Sequence, residues 1–174
     1  MKDRKLLNIE LGRVSASAYR MLPPSGTVLV LDNIRSAHNV GSAFRTADAF
    51  KVDSICLCGI CACPPSAEIH KSALGAEDSV PWEHFGSTMQ ALERLKGEGY
   101  TIVAVEQTCN SLSLEKFRRE AGGKYAFIFG NEVDGVSQEV VDESDLVLEI
   151  PQFGSKHSLN VSVSMGIVLW QNRL

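Results

Sequence analysis

The sequence predicts an α/β fold in which helices flank a largely parallel sheet. Three observations carry this reading. Five short apolar runs have strand length: TVLVLDN (27–33), DSICLC (53–58), YTIVAVE (100–106), YAFIF (125–129) and LVLEI (146–150). They read as continuous rather than alternating apolar stretches, which is the pattern of strands covered on both faces. Segments with helical spacing separate them, so strand and helix alternate along the chain.

The elements follow in order. Residues 3–20 are expected to form a basic N-terminal helix with a ragged stripe of Leu6, Leu7, Val14 and Tyr19, stopped by Pro23, Pro24 and Gly26. The strand at 27–33 leads into a polar loop, IRSAHNVG, and then a helix, SAFRTADAF. After the strand at 53–58 comes a loop at 59–65, and residues 66–85 are ambiguous, with Pro81 and Trp82 marking a break. Ser87 is a candidate cap for the helix STMQALERLKGEG, with Gly97 and Gly99 as stop signals. Past the strand at 100–106, Ser113 is expected to cap a short helix at 114–120. The strand at 125–129, a helix opened by Ser137, the strand at 146–150 and a helix at 159–172 complete the chain.

A chain of 174 residues with 44% hydrophobic residues suits one domain with a substantial core. No segment approaches the ~20 apolar residues of a membrane span, and MKDRKLLNIELG lacks the apolar run of a secretory signal. A cytoplasmic location is therefore expected. Five cysteines, four of them in Cys56, Cys58, Cys61 and Cys63, fit reduced thiols better than a disulfide framework. Cys56 and Cys58 alternate onto one face of a strand and are expected to pack, with a zinc or iron–sulfur site as the alternative and no metal expected. The net charge of −4 speaks against nucleic acid, yet Arg4, Lys5, Arg13 and Arg20, followed by Arg35 and Arg45, make the front of the chain basic. That is either an electrostatic footprint or a solvated helix face.

In parallel sheets ligands bind beyond the carboxyl ends of the strands, so the loops at 33–41, 106–111, 130–136 and 151–160 matter most. GNEVDG (130–135) has two glycines around a tight turn, where backbone N–H groups can approach a ligand, and Glu132 is either an acceptor there or an ordinary exposed acid. In FGSKHSLNVSVSMG, Ser158 is the natural cap of the last helix, and Asn160, one turn in, is not needed for capping. Arg45 lies on an otherwise apolar helix segment, six residues after Asn39. Half-buried, it would need an anion, either a phosphate or Asp48 or Asp53. No G-x-G-x-x-G, P-loop or Ser-His-Asp arrangement is present.

Taken together, three of these segments resemble the SpoU family of RNA ribose 2′-O-methyltransferases, within the SPOUT superfamily. NVGSAFRTADAF is similar to the first motif, FIFGNEVDGVS to the second and VLEIPQFGSKHSLNVSVSMGIVLW to the third, and the likeness runs from Thr27 to Gln171. The resemblance implies Arg45 as the catalytic arginine and Asn39 as its motif partner, with Glu132, Ser158 and Asn160 around the methyl donor and ribose. It implies S-adenosylmethionine held largely by backbone groups of Glu106, Gln107, Thr108, Gly130, Ile150, Gln152, Leu159 and Asn160. It further implies a homodimer and a deep trefoil knot formed by residues from about 125 to 174, in a catalytic core spanning 27–174. With about 25 residues before the first strand, RNA contacts are expected from the core, the dimer surface and Arg4, Lys5, Arg13, Arg20, Arg35 and Arg45, on tRNA rather than rRNA. The alternatives are the same reaction on rRNA, a non-catalytic RNA-binding factor on this fold, and a SPOUT enzyme that methylates a base.

Overall fold

Seven parallel strands form one sheet in the order β3-β2-β1-β6-β4-β7-β5. The computed structural model describes residues 3–173. The strands are β1 (Thr27–Asp32), β2 (Ser54–Cys58), β3 (Trp82–Phe85), β4 (Thr101–Val105), β5 (Leu112–Ser113), β6 (Tyr125–Phe129) and β7 (Leu146–Glu149). The helices are α1 (Ala16–Met21), α2 (Ala37–Ala49), α3 (Ala67–Ala73), α4 (Ala76–Ser79), α5 (Thr88–Gly97), α6 (Gln138–Asp142) and α7 (Val161–Gln171).

The continuous apolar runs are explained by cover on both faces. Leu29, Leu31, Phe127 and Phe129 face a core shared with Phe44 of α2, Ile69 of α3 and Val168 of α7. Val28, Val30, Ala126 and Ile128 face a second core built with Ala91, Leu92 and Leu95 of α5 and Val140 of α6. Cys56 and Cys58 pack into this second core, on one face of β2 as their alternation implies. Cys61 belongs to the first core, where its Sγ accepts from the Ile34 amide at 3.2 Å. Among the described residues, no three His, Cys, Asp or Glu side chains converge in a metal-holding group.

The five expected strands are all present, and two more lie at the edges. The edge strand β3 pairs only with β2, and its WEHF residues are mostly exposed, so no apolar run announces it. The other, β5, is two residues long and pairs with β7.

Two expected helices do not form as drawn. In place of one helix over 3–20, the chain makes a 3₁₀ turn at Asn8–Leu11, stops at Gly12 with φ 59°, and starts α1 only after Ser15 caps Ala18 at 3.2 Å. The stripe lacked a surface to bury against: Leu6 and Leu7 stay 59% and 65% exposed. Only Tyr19 is buried, with its hydroxyl donating to the Val52 carbonyl at 2.9 Å. In place of a helix over 114–120 there is one 3₁₀ turn, Leu114–Lys116, and Ser113 makes no capping bond because it is a residue of β5. Phe117 is drawn inward, with its ring set edge-on to Tyr125 at 5.6 Å.

Beyond that turn, Arg119 pins the amino edge of the sheet. Its guanidinium donates to the carbonyls of Ser25 and Gly123, both at 2.6 Å, and to Thr27 Oγ1 at 2.9 Å. Asn172, at the end of α7, accepts from the same guanidinium at 3.2 Å and donates to Thr27 Oγ1 at 3.0 Å. Burial lowers the Arg119 pKa from its ordinary value. Arg119→Ala orphans several acceptors together and is expected to cost about 2–3 kcal/mol, read as a lower urea midpoint with an unchanged m-value.

Candidate active site

A cavity of about 570 Å³ opens at the carboxyl ends of β4, β6 and β7, which are neighbours in the sheet. Val105, Phe129 and Leu148 at the strand ends line its apolar part, and the loops that follow supply the polar walls. The sequence reading placed the site here, and Glu106, Gln107, Gly130, Ile150, Gln152, Leu159 and Asn160 all line the cavity. Glu132 and Ser158 line it too. Thr108 does not: it lies outside the lining, where its carbonyl accepts from the Ser111 hydroxyl at 3.0 Å.

The loop after β6 is a closed turn. Asn131 and Gly135 pair through both backbone bonds, at 3.1 and 3.2 Å, and the Asn131 side chain accepts from the amides of Val133 and Asp134, both at 2.9 Å. The turn folds directly over Gly130, where a Cβ would run into the backbone of Gly135 and Val136. Glu106, at the end of β4, braces the turn from the other side, accepting from the Val136 amide at 3.0 Å and the Gln107 amide at 2.7 Å. Gln107 in turn donates to the His157 carbonyl at 3.0 Å, joining this loop to the segment before α7.

A second set of bonds joins α2 to both loops. The expected loop at 33–41 is shorter than drawn: Ser36 caps α2 and helix begins at Ala37, so Asn39 lies in the first turn. Asn39 is 6% exposed; its amide donates to Glu132 at 2.8 Å and accepts from the Asn160 amide at 3.3 Å. Glu132 also accepts from the amides of Arg35 at 3.2 Å and Ser36 at 3.3 Å, the unsatisfied donors at the start of α2. Burial alone would raise its pKa, but the bonds from Asn39 and these backbone amides outweigh it and hold the carboxyl below its usual range.

Three sequence expectations are corrected here. Asn160, not Ser158, caps α7, accepting from the Ser162 amide at 2.9 Å; the helix starts at Val161, which moves Asn160 from its first turn to its cap. Arg45 is exposed rather than half-buried, because it sits on the face of α2 opposite Ala43, Phe44 and Ala47. Among the described residues it joins no ion pair, neither with Asp48 nor with Asp53, which holds Lys51 and the Ser25 and Gly26 amides instead. Arg45 is also absent from the cavity lining. Of the other basic candidates, Arg4 is committed to Glu10 at 2.6 Å and Arg20 to the Asp78 carbonyl at 2.7 Å, whereas Lys5, Arg13 and Arg35 are exposed.

Sequence reasoning missed Asp32, at the end of β1. It is 2% exposed and accepts from Thr88 Oγ1 at 2.5 Å, Asn33 at 2.9 Å and the Ser137 amide at 3.1 Å, fixing where α5 and α6 begin. An acid closing an apolar strand was the available signal. His157 was given no role there, and the turn-forming role of Asn131 went unremarked.

The fold and the cavity define a parallel α/β protein with a ligand site at the strand carboxyl ends. The chain belongs to the SpoU rRNA Methylase family, whose pattern it matches over residues 26–170. A 23S rRNA (guanosine-2′-O-)-methyltransferase of Nitrosomonas europaea is 36% identical over 148 residues, covering 83% of this chain and 54% of that protein. Its counterpart in Neisseria meningitidis is 32% identical over 84% of this chain and 57% of its own. The chain thus spans just over half the length of these curated relatives. Among solved structures, an AdoMet-bound rRNA methyltransferase of Sinorhizobium meliloti superposes with a TM-score of 0.80 at 27% identity, over 89% of this chain and 59% of the other. A structure concerned with 2-OH methylation of C/U34 on tRNA superposes at 0.73 with 26% identity, over 84% of this chain and 93% of the other.

Because the native pKa of Glu132 is lowered, its contribution to stability is present above the unfolded carboxyl value of about 4.3 and lost as pH falls through the native one. Glu132→Gln should therefore be less stable than the parent at pH 7, with the two converging below about pH 4 in urea titrations. Gly130→Ala should cost about 3 kcal/mol or more and disorder the Asn131–Gly135 turn, seen as lost amide protection there.

Proposed function

We propose that this chain is an S-adenosylmethionine-dependent RNA methyltransferase acting on a ribose 2′-hydroxyl. The observation that carries the reading is the Asn39–Glu132–Asn160 network, which hydrogen-bonds the first motif to residues of the other two that line one cavity. The cavity suits the methyl donor. Its volume is in the range of small-ligand sites, its floor is apolar, and the carboxylates of Glu106, Glu132 and Asp134 complement a cationic group. Backbone groups around Gly130, Ile150 and Leu159 would hold it, together with the Glu106–Gln107 segment. Once bound, that donor supplies a methyl on a positive sulfonium, so the protein's task is to position the hydroxyl and remove its proton.

Arg45, exposed and without an ion pair among the described residues, would clamp an RNA phosphate through its planar fork. A guanidinium stays protonated, so its role in this reading is positioning. Lys5, Arg13 and Arg35 would add weaker backbone contacts. Within RNA, tRNA is the proposed substrate, supported by the tRNA-modifying neighbour; the rRNA-named relatives make rRNA the alternative.

The same reading includes a homodimer, a C-terminal segment threaded as a knot, and a cytoplasmic location. Leu159, Val163, Ile167 and Trp170, 37–60% exposed, form an uncovered apolar stripe beside the cavity that would suit a second copy. Among the described residues, no helix is long and apolar enough to cross a membrane.

The test combines calorimetry with S-adenosylmethionine and radiolabel transfer to tRNA and rRNA, followed by nucleoside digestion. A labelled 2′-O-methylnucleoside is the expected product; a labelled base, or donor binding without transfer, would favour the base-methylating or non-catalytic alternative. Arg45→Ala should lower transfer at least about 100-fold and leave donor affinity near the parent's, since the residue lies outside the lining.

A further inference from the structure

A second cavity, of about 440 Å³, shares no lining residue with the first. Pro64 and Pro65 of the loop after β2, Ala67 and His70 of α3, and Glu77 of α4 form its walls. These walls are fixed locally: Ser66 caps α3, and Arg20 donates to the Asp78 carbonyl at 2.7 Å, tying α4 to α1. Both α3 and α4 pack against α2, with Ser72 Oγ donating to the His38 carbonyl at 3.0 Å. Ile69, Ala73 and Ala76 share the core that receives α2, so the cavity lies on the side of the sheet that carries α2 and its exposed Arg45.

Glu77 is the unusual group in this wall. Its side chain is only 10% exposed. One carboxylate oxygen meets His70 Nδ1 at 2.5 Å, and the other is buried with no hydrogen-bond partner among the described residues. Burial would raise its pKa; His70 and, more weakly, the amides of Gly75 and Glu77 hold it below the usual carboxylate range, yet neither amide is aligned to bond the second oxygen. An ionised oxygen withdrawn from water without a donor is costly, so it calls for one from outside the chain. A phosphate is repelled by the carboxylate. A metal ion lacks ligands, since no three His, Cys, Asp or Glu side chains converge among the described residues. A planar N–H donor suits the walls: the rings of Pro64 and Pro65 and the His70 imidazole, 67% exposed, offer flat faces beside the free oxygen.

Building on the RNA-methyltransferase reading, we propose that this cavity takes an unstacked nucleobase of the RNA substrate that bears an exocyclic amino group. The amino group donates to the free oxygen of Glu77, and the ring packs against the prolines and His70. Adenine, cytosine and guanine qualify. Uracil flanks its ring N–H with two carbonyl oxygens, which the carboxylate repels. Arg45 and the exposed Lys71 hold phosphate without reading sequence, and the cavity adds the reading contact away from the reacting ribose.

The test is fluorescence anisotropy of the full chain, without methyl donor, on labelled oligo(A), oligo(C) and oligo(U) of about 12 nucleotides. Oligo(A) or oligo(C) is expected to bind about tenfold tighter than oligo(U). Glu77→Gln should bring the three within about twofold of one another and leave oligo(U) binding at the parent's level. Should Glu77→Gln unfold, Ala67→Phe decides, because it fills the cavity from an exposed position and keeps the Glu77–His70 pair; it should erase the same preference. Lys71→Ala should weaken all three equally. Equal binding by the parent overturns the proposal, as does a preference that survives in the folded variants. NMR shifts of the Ala67 and Glu77 amides with magnesium alone, and none with oligo(C), mark a cation site and overturn it too. A parent that methylates RNA but binds the oligomers alike refutes the base pocket alone. A parent that shows the preference but transfers no methyl group to tRNA or rRNA refutes the methyltransferase reading and leaves the pocket standing.

Discussion

The amide of Asn39 is the point on which the site depends. It is buried, and its two ends are assigned by their partners: the nitrogen donates to the Glu132 carboxylate and the oxygen accepts from Asn160. A carboxylate can only accept, so Glu132 sets the orientation of Asn39, which in turn fixes Asn160, whose oxygen is left to cap α7. A single polarised chain thereby positions the start of α2, the turn after β6 and the start of α7. Residues 93 and 121 positions apart in sequence are held within hydrogen-bond reach, at a depth where an unpartnered amide would be costly.

The cavity beside this chain is built by a second, independent constraint, the close approach of the Asn131–Gly135 turn to Gly130. Glu106 closes that arrangement from β4, and Gln107 extends it to His157. The walls are thus cross-braced between three strand ends, which suits a site meant to meet its ligand already formed. At the opposite edge of the sheet, Arg119 and Asn172 do comparable work, joining the end of α7 to the start of β1. The last helix is therefore anchored at both ends, one beside the site and one far from it.

Family membership and cavity geometry bear on different parts of the mechanism. The motifs bring Asn39, Glu132 and Asn160 together, and three hydrogen bonds tie the Glu132 carboxylate to the start of α2. Arg45, six residues along the same helix, points away from the apolar core into solvent.

Much of this was legible in the sequence. The five buried strands announced themselves because both faces of the sheet are covered, and the loops that carry the site followed from the direction of those strands. The edge strand β3 did not, because WEHF is largely solvated, and neither did the break at Gly12, because a helical apolar stripe means nothing without a surface to receive it. The capping roles of Ser158 and Asn160 were exchanged in the sequence reading because either side chain can cap, and only the approach of Asn39 decides between them. Local chemistry in the sequence therefore determined which segments are strands, which loops face the ligand and which family the motifs resemble. The tertiary structure alone decided which polar group meets which: that Glu132 holds the start of α2, that Arg45 meets no carboxylate among the described residues, and that the His157 carbonyl is bound by Gln107. Hydrogen bonds across some 50–120 residues depend on how the loops are brought together in space, and no local pattern encodes that distance.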